Sequence, residues 1–312
     1  TMLEAGKHVA TSNKALVADK GAELIRIARD HKVNFLFEAS VGGGIPIIRP
    51  LLECLTGDVI EEITGIVNGT TNYMMTEMSA KGTDFDEVLR EAQDRGFAEK
   101  DPTADIEGYD ACRKIAILTS LVAGRQVNYQ DIPTEGIRGI SATDMKYARL
   151  LKRHIKLLAS SRKRGDTYVA RVAPYLLPET HPLSKVDGVF NAIFVRGNML
   201  GDGMFYGSGA GKLPTASALV ADLVEMAKNL DKNLPIAWES KPLQLGDPGE
   251  TVGRFFVRST SPMRRIEDLF GQLSLIEAQK EGEHAFVTEP LSEKSFADKA
   301  AAIDVISMIR MG

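Results

Sequence analysis

Cysteine is almost missing from this chain: Cys54 and Cys112 are the only two, and no CxxC pair occurs. A zinc ribbon and a disulfide framework are therefore excluded as organising principles. Histidine is scarce as well, with His8, His31, His154, His181 and His284 scattered and no HExxH spacing. Neither sign of charge dominates: 38 basic residues face 42 acidic ones, a formal net charge of −4. That balance gives no electrostatic footprint for nucleic acid or an anionic membrane. Long apolar runs are absent too. The longest, Ile115 to Ala123, is interrupted by Thr119 and Ser120 and falls well short of the roughly 20 residues that span a bilayer. No secretory signal pattern is apparent, so a reduced, cytoplasmic setting is the expectation.

What is present is a chain of 312 residues, 44% of them hydrophobic, enough for two or three cored units. Residues 1–40 read as strand, helix, strand. A short strand ends at Ala10-Thr11. Asp19 is expected to cap a helix over 19–32, and VNFLFEA (33–39) is a near-continuous apolar strand of the kind covered on both faces. The pattern is the tail of a doubly wound, Rossmann-type nucleotide domain whose Gly-rich front is expected but not seen. Residues 41–204 read as a mixed α+β unit. Within it Asp105 is expected to cap a helix over 106–123, and the basic stretch from Lys152 to Arg164 is expected on the solvated face of a helix. Residues 205–232 bring a Gly-rich turn and a helix. Pro235, Pro242 and Pro248 mark a linker at 233–251. Residues 252–312 then follow the order βαββαβ, a ferredoxin-like module.

Five segments carry candidate chemistry. In Gly96 to Lys114, Asp110 and Lys114 are four apart and share a helix face. Alone such a pair is an ordinary surface ion pair, but this helix continues as Ile115-Ala116-Ile117-Leu118. Charge at the mouth of an apolar cleft suits a substrate with an amine and a reacting hydroxyl, and burial would bring a lysine toward proton-transfer range. Glu99 adds a carboxylate for a substrate ammonium. Lys14 lies just past a strand's carboxyl end, where open α/β sheets bind ligands, although a solvated loop lysine would look the same. Glu38 precedes Val41-Gly42-Gly43-Gly44-Ile45, where inward carbonyls beside a carboxylate suit a hard cation, or where the glycines merely make a sharp reversal. Gly207 to Lys212 can approach a phosphate or nicotinamide. Asn68-Gly69-Thr70-Thr71 is a strand-to-helix turn that either lines a pocket or only caps a helix.

In this order and spacing the stretches GKHVATSNKAL, FEASVGGGIPII, GIVNGTTNYMMTEM, GFAEKDPTADIEGYDACRKIAIL and YGSGAGKLPTASALVADL resemble homoserine dehydrogenases. The resemblance runs over about residues 5–230, and the tail is similar to the ACT regulatory domain many members carry. It implies NAD(P)H-dependent reduction of L-aspartate 4-semialdehyde to L-homoserine, on the route to threonine and methionine. Carried over by position, it makes Lys114 the proton donor and Lys14 the lysine between nicotinamide and substrate. Glu99 and Asp110 would bind homoserine, while Thr11, Lys14, Gly96, Gly209 and Gly211 would neighbour the cofactor. Glu38, Val41, Gly43 and Ile45 would hold a sodium ion. A homodimer or higher assembly is implied, as is a feedback amino acid such as threonine at the ACT module. Two departures stand out: the Gly-rich dinucleotide fingerprint is not seen, and the first loop of the tail lacks a D-x-x-G turn. Two competing readings are a non-catalytic amino-acid-sensing and dimerisation protein, and a dehydrogenase for another amino-acid aldehyde. Retention of Lys14, Glu99, Asp110 and Lys114 together weighs against the first.

Overall fold

A computed structural model describes residues 1–312. The chain opens with β1 (Val9–Ala10), α1 (Lys14–Asp30) and β2 (Phe35–Leu36). The two strands pair in parallel, Val9 with Phe35 and Ala10 with Leu36, and α1 forms the crossover. This helix begins five residues before the expected start at Asp19. Asn13 caps it, its side chain accepting from the Leu16 amide at 3.0 Å. Lys14 is therefore the first residue of a helix at the end of β1 and not part of a loop.

The middle of the chain supplies β3 (Ile60–Ile66), α2 (Gly69–Lys81), α3 (Phe85–Asp94), α4 (Thr103–Ile106), α5 (Tyr109–Ala123), β4 (Arg125–Gln126) and α6 (Ala142–Leu150). Asp105 does not cap α5, because the chain turns once more at Gly108, whose φ of +81° favours glycine. Asp105 sits inside the short α4. Next come β5 (Arg153–Arg164), β6 (Thr167–Pro178), β7 (Phe190–Gly197), β8 (Gly201–Ser208) and α7 (Lys212–Lys228). The basic stretch is thus a strand and not a helix: β5 pairs with β6 at twelve successive positions, from Arg153↔Pro178 to Arg164↔Thr167. Its Leu, Lys and Arg are good helix formers, but strand pairing and burial on both faces of the central LLAS override propensity. Lys156, one of the basic residues of that run, is 2% exposed and donates to the Val186 carbonyl at 2.6 Å and Asp187 at 2.9 Å.

The rest of the chain comprises β9 (Glu239–Pro242), β10 (Val252–Gly253), β11 (Phe255–Ser259), α8 (Met263–Phe270), β12 (Leu273–Ile276), β13 (His284–Thr288), β14 (Leu291–Ser292), α9 (Glu293–Ala300) and β15 (Val305–Met311). Segment 233–251 packs: Trp238 is buried against Gly21 of α1 and edge-on to Phe37, and β9 pairs with β4. Strands β12-β13-β11-β15 lie in that order, all antiparallel, with α8 and α9 as connections. The edge strand β15 then pairs in parallel with β6, Arg310 opposite Tyr175. One nine-stranded mixed sheet results, β12-β13-β11-β15-β6-β5-β3-β7-β8. The main apolar core packs α2, α5 and α6 against it, with Met74, Ile117 and Tyr147 wholly buried. No helix is long and apolar enough to cross a membrane.

A candidate active site at the start of helix α5

Helix α5 is almost entirely buried from Asp110 to Leu121, including two of its three charged residues, Asp110 and Lys114. Their four-residue spacing stacks them, and Lys114 Nζ donates to Asp110 Oδ2 at 2.7 Å. The same ammonium donates to the Val67 carbonyl at 2.6 Å. Lys14 arrives from the other side, its Nζ 3.0 Å from Asp110 Oδ1. Two lysines from distant parts of the chain thus share one carboxylate. One is nearly buried, with its side chain 10% exposed, and the other is open to solvent at 42%.

Burial alone would raise the pKa of Asp110. The charges of Lys114 and Lys14, with hydrogen bonds from Lys114 and Asn68, outweigh it and hold the carboxyl far below the usual range. Asn68 is the organiser that its motif left ambiguous. Its side-chain amide donates to Asp105 Oδ1 at 2.7 Å and to Asp110 Oδ2 at 2.9 Å, while its oxygen caps α2 through the Thr71 amide. It therefore caps the helix, one of the two roles the sequence left open, and in addition bridges two carboxylates. Asp105 joins the cluster as a residue sequence reasoning treated only as a cap. Burial pushes its pKa up, and the neighbouring Asp110 adds to the rise. Its position five residues before Asp110, across Gly108, was the available signal. Glu99 is exposed just ahead of α4, its carboxylate without a partner and its carbonyl accepting from Gln93.

The glycine-rich turns meet each other. Gly43 has φ +57°, and a Cβ there would lie 2.5 Å from the Gly209 carbonyl oxygen. Gly44 donates to the Ser208 carbonyl at 3.1 Å. A Cβ on Gly209 would overlap the Asn191 side chain at 1.9 Å. Gly211 precedes α7, whose first amides receive no side-chain cap. Thr11 follows β1, its hydroxyl accepting from the Asn13 amide at 3.1 Å. Gly96 is exposed with φ +74° and open space around it.

The Glu38 carboxylate is buried and already engaged. Oε1 accepts from the amides of Ile47 and Ile48 at 2.7 and 2.9 Å, and Oε2 from Arg49 at 2.8 Å. The carbonyls of Val41, Gly43 and Ile45 accept no backbone hydrogen bond, and the adjacent Ser40 hydroxyl is buried without a partner.

Comparison with known proteins agrees with this geometry. The family model "Homoserine dehydrogenase" matches residues 46–224. A homoserine dehydrogenase of Synechocystis is 42% identical over 313 residues, covering 96% of this chain and 71% of that protein. The crystal structure of a homoserine dehydrogenase from Thiobacillus denitrificans superposes with a TM-score of 0.89 at 36% identity, over 99% of this chain and 77% of that one. A hyperthermophilic archaeal homoserine dehydrogenase solved in complex with NADPH matches with a TM-score of 0.62 at 33% identity, over 75% of this chain and 67% of that one. The chain belongs to the homoserine dehydrogenase family; it spans 71% of the length of the Synechocystis relative and about half the length of those from Neisseria gonorrhoeae and Bacillus subtilis.

Proposed function

We propose that this chain binds the amino-acid substrate and handles the proton in the NAD(P)H-dependent reduction of L-aspartate 4-semialdehyde to L-homoserine. The observation that carries the reading is the convergence of Lys14 and Lys114 on Asp110. An ammonium has three donors. Lys114 commits two, to Asp110 and Val67, which leaves one N–H for a substrate oxygen. Fixed positive charge beside an oxygen that becomes an alkoxide lowers the barrier, and it needs no reorganisation at the moment of reaction. Nicotinamide, when bound, supplies the hydride. The aldehyde oxygen takes its proton from a lysine Nζ, and Asp110 keeps both amines aimed. Lys14, open to solvent, is placed to renew that proton. Asp105 and Glu99 offer carboxylates to the substrate ammonium, and a cation beside Asp105 offsets the burial that raises its pKa.

The residues fit a nicotinamide nucleotide. Thr11 and Lys14 stand at the carboxyl end of a parallel strand pair, and Gly209 and Gly211 lead into an uncapped helix start. An alkali ion, sodium in this reading, would be held by the carbonyls of Val41, Gly43 and Ile45. Glu38, its carboxylate committed to three amides, would support that loop from behind. The βαββαβ order of residues 252–312 supports an ACT-type regulatory module that takes a feedback amino acid such as threonine. Exposed Phe190, Met204 and Tyr206 on β7 and β8 support assembly as a homodimer or larger.

Titration calorimetry of L-homoserine into this chain in sodium chloride, followed by homoserine oxidation read as NAD(P)H absorbance in the intact enzyme, tests the reading. Binding that is lost in Asp110→Ala supports it. No heat of binding from folded protein would remove homoserine as the substrate.

A further inference from the structure

The turn that carries Asp105 and Asp110 rests on an irregular segment whose far end is gripped by the C-terminal module. Gly136 lies so close to the turn that a Cβ on it would sit 2.1 Å from the Ile106 carbonyl oxygen and 2.6 Å from Glu107 Cα. Next to it, the Ile137 amide donates to that same carbonyl at 2.8 Å, and Arg138 Nε donates to Glu107 at 2.8 Å. On the other side, Glu135 is pinned to the sheet through its amide, which donates to the Val172 carbonyl at 2.8 Å. Its carboxylate accepts two hydrogen bonds from Arg310 of β15, both 2.7 Å. Arg310 is buried and turns two further donors on Glu293, at the start of α9, at 2.6 and 2.9 Å. Arg171 of β6 closes the group, 2.7 Å from Glu293.

From this geometry we infer that Arg310 and Glu135 are positioning residues for the reaction, fixing the Asp105–Asp110 turn to the C-terminal module. The inference rests on the proposed role of that turn in binding homoserine. Three features carry it. A bidentate arginine–carboxylate pair sets orientation as well as distance. Glu135 and Gly136 are adjacent, so displacement of one cannot be absorbed before it reaches the other. The turn has no room to give, because residue 136 touches its backbone directly. Any shift of β15 or α9, such as a ligand on the module would cause, is thereby passed to the two carboxylates rather than dissipated in a linker. Neither Arg310 nor Glu135 touches substrate. Their effect is on where Asp105 and Asp110 stand.

The test compares the unaltered chain with Glu135→Gln, which keeps shape and removes the charge, and Glu135→Asp, which keeps the charge. Amide hydrogen exchange is followed at residues 105–112, with β3 and β7 as internal reference. The expected result for Glu135→Gln is at least several-fold faster exchange at 105–112 with the reference strands unchanged. Homoserine affinity should weaken several-fold by calorimetry, and Glu135→Asp should recover part of both. Unchanged exchange at 105–112 in Glu135→Gln overturns the inference. So does faster exchange spread evenly over the chain, because that is general destabilisation. If the unaltered chain binds no homoserine, the substrate assignment falls, while the exchange pattern still decides the coupling.

Discussion

Lys14 and Asp110 meet at 3.0 Å although one opens the helix after β1 and the other opens α5. The contact joins the end of the parallel strand pair to the buried helix that carries Lys114. Lys114's own bonds to Asp110 and Val67 leave it a single free donor, which makes the two lysines unequal. Lys114 is held by Asp110 and Val67 and nearly buried, whereas Lys14 has one acidic partner and open solvent.

Lys114→Ala in the intact enzyme is expected to lower kcat by about a hundredfold or more, the scale of lost general acid catalysis. Steady-state homoserine oxidation measures it. Near-normal turnover would move the proton-donor role to Lys14. Glu99→Ala is expected to raise KM for homoserine and leave kcat little changed, because a group that only holds the ammonium contributes to binding. An unchanged KM would take Glu99 out of the substrate site.

Asp110→Asn tests the electrostatics. The folded-state pKa of Asp110 lies below its ordinary value of 3.8. Its contribution to stability is therefore full above pH 3.8 and is lost as pH falls through the folded value. Above about pH 5 the asparagine variant should unfold more easily, on the order of 3 kcal/mol, because Lys114 keeps a buried charge without its counterion. Below pH 3.8 the gap should narrow, closing only as pH falls past the folded-state value. Urea unfolding at a series of pH values measures this, and a gap independent of pH would show that packing, not charge, is what Asp110 contributes.

Much of this site was legible in the chain, because helical spacing alone puts Asp110 and Lys114 on one face and the apolar run behind them argues for burial. Lys14 was legible for a similar reason, since a strand end fixes its place. Asp105 and the double role of Asn68 were not, because both depend on a turn at Gly108 that brings separate elements together. Strand β5 was hidden by charge at its ends, and β8 by alternating glycine, although Gly201, Gly203 and Gly207 occupy one face while Met204 and Tyr206 occupy the other. The regular C-terminal order was visible from periodicity, but its parallel pairing with β6 was not, since nothing local encodes which edge a sheet will meet.

The seam between module and body predicts a sharp contrast between two arginines. Arg258 of β11 is buried with Asp144 at 2.9 Å and Glu283 at 2.6 Å, all three side chains at most 4% exposed. Asp144 also closes the capping box of α6 with Ser141, and Tyr147 donates to Glu283 at 2.8 Å. Arg258→Ala leaves two buried carboxylates without their counterion and should cost about 3–5 kcal/mol. Arg254→Ala removes an exposed pair with Glu289 and should cost under about 1 kcal/mol. Equal losses in urea unfolding would mean that the buried network does not hold the seam.

Gly43 provides the last test, because two independent constraints act there. Its φ of +57° disfavours any side chain, and a Cβ would meet the Gly209 carbonyl oxygen at 2.5 Å. Gly43→Ala should therefore lower stability by on the order of 2 kcal/mol, from strain and from separation of the two turns. If the carbonyls of Val41, Gly43 and Ile45 hold sodium, the unaltered protein should gain melting temperature in sodium over choline chloride, and Gly43→Ala should lose most of that gain. Gly139→Ala is the control, since its Cβ has open space and its φ is not positive. An equal sodium effect in both variants would detach the ion from this loop and leave the glycines as a packing device alone.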